Sequence, residues 1–298
     1  MRGVVVALGN FDGVHLGHQE VLRKAVEEGR TRSMRVVAAT FNPHPRAVLR
    51  GGDPPKLLTP VGLRREVLRR YGADEVVEIP FDLKLSRKSP EQFVRDVLVG
   101  KIGAEVVVVG ENFRFGYRAA GHVDDLRRLM REVGGEAVAV EVRGVGGEGG
   151  INSTRIRALI SAGAVAEAAG LLGRPYVLRG EVVVGDRRGR SIGFPTANVV
   201  PDADAVVPAR GVYAGLVVVG EVTYAACTNV GVAPTFGRAE SRVEAYLLDF
   251  EGDLYGRIVD VGFTRRIRGE KRFSSVDELK HQIQRDVEQT RLTADSPT

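Results

Sequence analysis

Apolar strands alternate with helical segments along the first 172 residues, and this alternation restricts the fold more than any other feature of the sequence. The apolar runs are rich in valine on both faces, which is typical of strands covered by helices on either side. Strands are predicted at 4–8, 35–41, 75–79, 105–109 and 137–142, with helices near 17–29, 61–71, 90–100 and 123–133. The pattern predicts an α/β fold with a doubly wound parallel sheet, in which ligands bind at the carboxyl ends of the strands.

The stretch "GNFDGVHLGHQ", residues 9–19, follows the first predicted strand directly. Its glycines would weaken a strand or a helix, so it is predicted to be a turn that leads into the first helix. Such a turn leaves backbone N–H groups at the positive end of the helix, where phosphate binds readily. His15 and His18 could then hydrogen-bond phosphoryl oxygens. Either histidine alone is explained more simply as a surface residue, but the pattern His-x-Gly-His favours a nucleotide site.

Two further polar segments follow predicted strands, "NPHP" after the second and "GENFRFG" after the fourth, and they indicate one shared crevice. The segment "INSTRIRALI" follows a glycine-rich loop, and Asn152 or Ser153 is predicted to cap its helix. Arg155 and Arg157 could close over a triphosphate, although for this segment alone a plain capped helix with arginines facing solvent is the simpler explanation. We place a domain boundary near residue 173, which gives domains 1–172 and 173–298.

The second domain has short valine-rich segments separated by turn residues. This pattern predicts a compact antiparallel β-barrel. A helix is predicted at the end of the chain, with Ser275 and Glu278 as a capping box. Its apolar stripe, which is predicted to pack in the core, comprises Val276, Leu279, Ile283 and Val287.

The segment "GEVVVGDRRGRSIGFPTANV", residues 180–199, is the second candidate phosphate site. Gly185 and Gly189 flank a tight basic turn that includes Arg190. Thr196 and Asn198 are two positions apart, so in an extended strand both oxygens face one side and could hold Mg²⁺. Thr and Asn beside a proline also cap turns, and this simpler explanation stays open.

Glu244 lies in the alternating segment "RVEAYLLDF", with Val243 and Ala245 on the opposite face. A carboxylate at this position could accept a proton from an attacking hydroxyl. An exposed strand glutamate is the alternative.

Composition limits the class of protein without deciding its partner. The net charge is +5, but the 43 Lys and Arg are scattered, so the charge suits nucleic acid and phosphorylated small molecules alike. No apolar run approaches the roughly 20 residues of a membrane helix. The single cysteine, Cys227, fits a reducing cytoplasm and is predicted to be buried. We expect a cytoplasmic protein with no nucleic-acid or membrane partner, and the sequence leaves its oligomeric state open.

Taken in order, the motifs resemble those of the bacterial bifunctional riboflavin kinase/FAD synthetase family. The resemblance runs to about residue 290 and includes "GNFDGVHLGHQ", "TFNPHP", "GENFRFG", "NSTRIR", "GRSIGFPTANV", "TNVGVAPTFG" and "VEAYLLDFEGDLYG". It implies a Rossmann-like nucleotidyltransferase domain followed by an antiparallel flavokinase barrel with a terminal helix.

The resemblance also implies two ATP-dependent reactions, with riboflavin, FMN and ATP as the small-molecule partners. In the barrel, Glu244 would be the general base that forms FMN, and Thr196 and Asn198 would hold Mg²⁺ and ATP beside Gly185 and Arg190. In the first domain, His15 and His18 would stabilise AMP transfer to FMN, which gives FAD. FMN and FAD would then be substrate and product rather than prosthetic groups. The residues implied to bind ATP in that domain are Gly9, Phe11, His15, His18, Asn112, Ser153, Thr154 and Arg155.

Two positions depart from the usual family pattern, Asn152 for serine and His122 for aspartate. Two other functions are considered. One is a chain with a single active half and a flavin- or nucleotide-binding module. The other is a nucleic-acid-binding or regulatory protein with inherited folds. The motifs present in both halves favour the bifunctional enzyme.

Overall fold

The computed structural model describes residues 3–49, 54–141, 150–185, 189, 192–235 and 238–294. The chain divides into two compact units, Met1–Ser153 and Thr154–Thr298. The first unit is a parallel α/β structure and the second is an antiparallel barrel.

The first unit is built on a five-stranded parallel sheet. Its strands are β1 (Val4–Leu8), β2 (Arg35–Asn42), β3 (Glu75–Pro80), β4 (Ala104–Gly110) and β5 (Glu136–Val140). The spatial order is β3-β2-β1-β4-β5, so the direction of strand addition reverses between β1 and β4. Ligands of doubly wound sheets bind at such a reversal.

Helices cover both faces of this sheet. They are α1 (Leu16–Arg32), α2 (Pro45–Leu49), α3 (Val61–Arg70), α4 (Leu83–Ser86), α5 (Pro90–Gln92), which continues into a π-helical stretch (Phe93–Ile102), and α6 (Val123–Glu132). Val4, Val6 and Leu8 pack against the π-helical stretch and α6, while α1 contacts β1, β2 and β4. Every residue of β1 is buried, which explains why its sequence is apolar throughout.

The second unit is a closed six-stranded antiparallel barrel with helices before and after it. Its elements are α7 (Ser153–Ala162), which begins on the last residue of the first unit, α8 (Val165–Leu172), β6 (Tyr176–Val183), β7 (Ala197–Pro201), β8 (Gly211–Val219), β9 (Val222–Thr235), β10 (Arg238–Leu247), β11 (Ile258–Arg268) and α9 (Val276–Ala294). The strand order is β10-β7-β6-β11-β8-β9, and β9 pairs with β10 to close the barrel. Closure removes the free strand edges through which sheets aggregate.

The predicted fold class is confirmed, since a helix-covered parallel sheet precedes an antiparallel barrel with a terminal helix. The boundary at 172/173 stays a prediction; the compact second unit begins earlier, at Thr154, and its helix α8 packs on β6 and β11.

The predicted cap and stripe of α9 need correction. Ser275 Oγ accepts a hydrogen bond from Glu278 N at 3.2 Å, but the Glu278 carboxylate accepts from Ser274 instead of Ser275. Val276 is 57% exposed, and Leu279 and Ile283 line a cavity. Val287 packs against the buried cluster of Val212, Cys227 and Leu248, as predicted, whereas Leu279 and Ile283 form part of a cavity wall.

Candidate active sites

A tight loop joins β1 to α1 at the reversal of the sheet. Phe11, Gly13 and Val14 have φ angles of 47°, 88° and 40°. This left-handed backbone is unfavourable for Phe and Val, and such strain is common at functional sites. The loop brings the N-terminal end of α1 to the carboxyl end of β1.

His15 and His18 form a stacked pair at the start of α1. The ring centroids lie 3.6 Å apart, with 16° between the planes. His15 is the N-cap, and its Nδ1 accepts a hydrogen bond from His18 N at 3.3 Å. In the neutral ring the proton then resides on Nε2, which makes Nε2 a hydrogen-bond donor. Phe11 is fully buried, with its ring in edge contact with His18 at 5.2 Å, so its side chain supports His18.

Buried Asp12 ties this loop to two distant segments. Its Oδ1 accepts hydrogen bonds from Leu58 N at 2.8 Å and Thr59 N at 3.1 Å. Its carbonyl oxygen accepts a hydrogen bond from Ser153 Oγ at 2.8 Å. The predicted ATP-binding residue Ser153 is thus held against the loop that carries the two histidines.

Arg64, a buried residue of α3, holds the same loop. Arg64 is only 3% exposed. Its Nη1 donates to Asn10 O and Thr40 Oγ1, both at 3.2 Å. Burial lowers the pKa of the Arg64 guanidinium, while the nearby carboxylates of Asp12 and Glu78 act in the opposite direction. Nothing in the sequence indicates this buried cation, because Asn10 and Thr40 lie 54 and 24 positions away from Arg64.

The other residues predicted for the first site come from different elements, and they are Gly9, Asn112, Thr154 and Arg155. Gly9 directly follows β1, and its N–H donates to Ala39 O at 3.1 Å. Asn112 is exposed and lies two residues after β4, the strand on the other side of the reversal. Thr154 and Arg155 continue α7 in the second unit, and their role in the first site stays a prediction.

The second site is built on three adjacent barrel strands. Asn198 on β7 and Asn229 on β9 lie directly opposite Glu244 on β10, so the three residues share one face. Val243 and Ala245 are fully buried on the other face, as predicted.

Arg242 connects these side chains. Its Nε and Nη2 donate to Asn198 Oδ1 at 3.1 and 2.9 Å, and Nη2 lies 2.8 Å from Glu244 Oε1. About a quarter of each side chain of the ion pair is exposed, 27% for Arg242 and 25% for Glu244. Side chains two residues apart share one face of a strand, so the sequence could have predicted Arg242 on the same face as Glu244. Nothing in the sequence predicts its contact with Asn198.

Two predicted glycines lie where a side chain would not fit. A Cβ on Gly185 would lie 2.3 Å from Asn198 Nδ2, and a Cβ on Gly189 would lie 2.3 Å from Phe194 O. Gly189 O also accepts a hydrogen bond from Phe194 N at 2.9 Å, which closes a turn just before Thr196. Arg190 lies outside the described residues.

Two cavities meet at this site. The larger cavity, of about 720 Å³, is lined by residues that include Phe194, Arg242, Glu244, Tyr246, Phe273 and Ile283. The smaller cavity, of about 490 Å³, is lined by residues that include Asn198, Leu247, Phe250, Asp253 and Tyr255. Thr196 lines both.

The wall of the larger cavity is fixed by α9. Arg268 donates from Nη2 to the buried carboxylate of Asp286 at 2.7 Å, and this pair holds α9 on the barrel. Cys227 lines the same cavity and is a buried free thiol, as predicted. Burial raises its pKa to about 11.

Two features are absent from the described residues. No helix among them is both long and apolar enough to cross a membrane. No group of three or more His, Cys, Asp and Glu side chains in the same part of the chain could hold a metal ion.

Comparisons with known proteins agree with the two-unit architecture. A family model described as FAD synthetase matches residues 1–155, and one described as riboflavin kinase matches residues 172–294. The bifunctional riboflavin kinase/FMN adenylyltransferase of Escherichia coli strain K12 is 38% identical over 286 residues, which cover 96% of this chain and 91% of that protein. The protein of the same name from Listeria monocytogenes is 35% identical over 289 residues, with the same coverage of 96% and 91%.

A crystal structure from Streptococcus pneumoniae has the same fold over nearly the whole chain. It is described as a macrolide-efflux protein, is 36% identical, and superposes with a TM-score of 0.89 over 97% of this chain and 94% of that one. The resemblance predicted from the motifs is confirmed by the two family models and the curated relatives. The chain belongs to the bifunctional riboflavin kinase/FMN adenylyltransferase family.

Proposed function

We propose that the two units catalyse successive ATP-dependent reactions. The barrel unit phosphorylates riboflavin to FMN, and the sheet unit transfers AMP from a second ATP to FMN, which gives FAD and pyrophosphate. The observation that carries the proposal is that each unit has its own site for phosphate chemistry. The first is the His15–His18 pair at the start of α1, and the second is the junction of two cavities at Thr196.

In adenylyl transfer, an oxygen of the FMN phosphate bonds to the α-phosphorus of ATP as the bond to pyrophosphate breaks. The start of α1 supplies N–H donors and a positive dipole end to the phosphoryl oxygens. His15 Nε2 and His18 would add donors where charge develops. We assign Gly9 and Phe11 (through their backbone), Asn112, Ser153, Thr154 and Arg155 to binding of this ATP.

In the kinase reaction, the 5′-hydroxyl of riboflavin attacks the γ-phosphorus of ATP, the bond to the bridging oxygen of ADP breaks, and Glu244 accepts the hydroxyl proton. We assign riboflavin to the larger cavity, because its aromatic and apolar walls suit a flat ring system and Glu244 lines it. The smaller cavity is then assigned to ATP, with Thr196 between the two substrates.

The residues at the junction fit a magnesium ion. Thr196 Oγ1, Asn198 Oδ1 and the Glu244 carboxylate are hard oxygen donors, and Mg²⁺ in nucleotide sites needs few protein ligands besides the phosphates. A cation already occupies this place, since the Arg242 guanidinium lies between Asn198 and Glu244. Thr196 and Asn198 would hold the ion, which when bound would neutralise phosphate charge. Gly185 and Arg190 are proposed to contact the phosphates of this ATP.

The experiment is a product assay with purified protein, riboflavin, ATP and Mg²⁺, in which we expect FMN and then FAD. Glu244→Gln should abolish FMN formation and leave FAD formation from supplied FMN intact, and His18→Ala should do the reverse. If a folded Glu244→Gln protein lost both activities, the assignment of one reaction to each unit would be wrong. The use of ATP in both steps agrees with the predicted cytoplasmic location, which stays part of the proposal.

A further inference from the structure

Arg242 lies where the two cavities of the barrel unit meet. Arg242 and Glu244 line the larger cavity, whereas Asn198 lines the smaller one. The guanidinium donates twice to Asn198 Oδ1 and pairs with Glu244 Oε1. These contacts therefore join the linings of the two cavities.

The hydrogen bonds to Asn198 use the same oxygen that the kinase reaction needs. An amide oxygen has two lone pairs, and the two bonds from Arg242, at 3.1 and 2.9 Å, occupy both. A divalent cation and a guanidinium on one oxygen would also repel each other. Arg242 must therefore leave Asn198 before that side chain can ligate a metal ion.

We propose that Arg242 is an exchangeable cation of the kinase reaction, bound to Asn198 and Glu244 before the nucleotide arrives and to the γ-phosphate of ATP afterwards. The inference rests on the proposed riboflavin kinase function. Arg242 lies two residues before Glu244 on β10, hence on the same face. A guanidinium binds phosphate through charge-assisted hydrogen bonds. It gives up no proton during transfer and stabilises the charge on the γ-phosphoryl oxygens.

A purely structural ion pair is the competing explanation, and the barrel offers an example of one. Arg179 binds both carboxylate oxygens of Asp260, at 2.6 and 2.8 Å. Arg242, in contrast, divides its donors between an amide and a carboxylate and borders a cavity. Arg179 is thus a matched control, an arginine in a strand ion pair that takes no part in the proposed site.

The test is calorimetric titration of the full chain with MgADP and with the magnesium complex of the non-hydrolysable analogue β,γ-imido-ATP. The wild-type barrel site should prefer the analogue, since only the analogue presents a γ-phosphate to Arg242. In Arg242→Met that preference should fall about 10- to 100-fold, as expected for lost hydrogen bonds to a charged group, with MgADP binding as tightly as before or more tightly. Arg242→Lys should retain part of the preference and Arg179→Met all of it. The adenylyltransferase site in the other unit gives an internal reference in each titration.

A loss of affinity by the same factor for both nucleotides, or an unchanged preference, would mean that Arg242 is structural and would overturn the proposal. If Arg242→Met does not fold, Arg242→Lys decides, because an unchanged preference in that variant contradicts a guanidinium fork on the γ-phosphate. Failure of the proposed riboflavin kinase function can be distinguished from failure of the Arg242 proposal. In that case the wild-type protein would form no FMN, whereas its preference for the nucleotide with a γ-phosphate could still depend on Arg242.

Discussion

The imidazole rings of His15 and His18 stack at 3.6 Å while His15 Nδ1 accepts the hydrogen bond from His18 N. One ring nitrogen of His15 thus caps α1, and the other is the one proposed to donate to phosphate. The two roles can be separated, because asparagine is also a good N-cap but cannot reach as far as an imidazole. We expect His15→Asn to unfold at the same urea concentration as wild type and to lose about 10²- to 10³-fold in the rate of FAD formation.

His15→Ala is the matched comparison for this prediction. It removes the cap as well, so it should lose the same activity and about 1 kcal/mol of stability. Near-normal FAD formation by His15→Asn would show that the ring of His15 serves only the helix.

A second prediction concerns Arg64, which holds the β1–α1 loop through Asn10 O and Thr40 Oγ1. Arg64→Met removes a buried donor that Asn10 O and Thr40 Oγ1 share, although Asn10 O keeps its hydrogen bond from Thr40 Oγ1. The change should cost about 3 kcal/mol of stability and slow FAD formation. Arg35→Met is the control, since Arg35 and its partner Glu75 are 68% and 48% exposed, and such surface pairs contribute about 1 kcal/mol or less. Equal urea midpoints for the two variants would contradict the role given to Arg64.

A third prediction follows from the contact between Gly185 and Asn198. A methyl group at Gly185 would lie 2.3 Å from Asn198 Nδ2, so Gly185→Ala must displace the amide that is proposed to hold the cation. We expect kcat/KM for FMN formation to fall about 100-fold, the typical effect of a misplaced catalytic group, with FAD formation from supplied FMN unchanged.

Gly170→Ala provides the control in the same unit, because Gly170 lies in α8 and nothing lies within 4 Å of an added Cβ. It should leave both activities intact and gain about 0.5–1 kcal/mol of stability. Unimpaired FMN formation by Gly185→Ala would mean that Asn198 is not needed in its observed position.

The sequence predicts those structural elements that are determined by residues close together in the chain. The valine-rich β1 and the glycine turn after it are encoded by neighbouring residues, so both the strand and the start of α1 could be located. The role of Asp12 in that turn is not evident from the sequence, because its partners Leu58 and Thr59 come from a segment more than 40 positions away. Contacts of this kind depend on the strand order of the sheet, which a single sequence does not specify.

The error on α9 has a similar physical origin. Helical spacing of apolar residues shows that one face of a helix avoids water, but it does not distinguish a face buried in the core from one that borders a cavity. Leu279 and Ile283 line the larger cavity together with Asp286, which is paired with Arg268, while Val287 packs against the core. The prediction that Val243 and Ala245 lie on the face opposite Glu244 is confirmed, because the side chains of a barrel strand alternate between a buried face and a more accessible one.

The assignment of riboflavin to the larger cavity leads to a last prediction, on the reactivity of Cys227. This residue is the only cysteine of the chain and lines that cavity. Because burial raises its pKa to about 11, the thiolate fraction should rise about tenfold for each pH unit between pH 7 and 9.5. The rate of alkylation by iodoacetamide, followed by mass spectrometry, should rise in the same proportion, whereas in urea the thiol should react with an ordinary pKa near 8.5. Saturating riboflavin should slow alkylation of the native protein at every pH, since the ligand would cover the thiol. An alkylation rate that riboflavin leaves unchanged would place the flavin elsewhere than in the larger cavity.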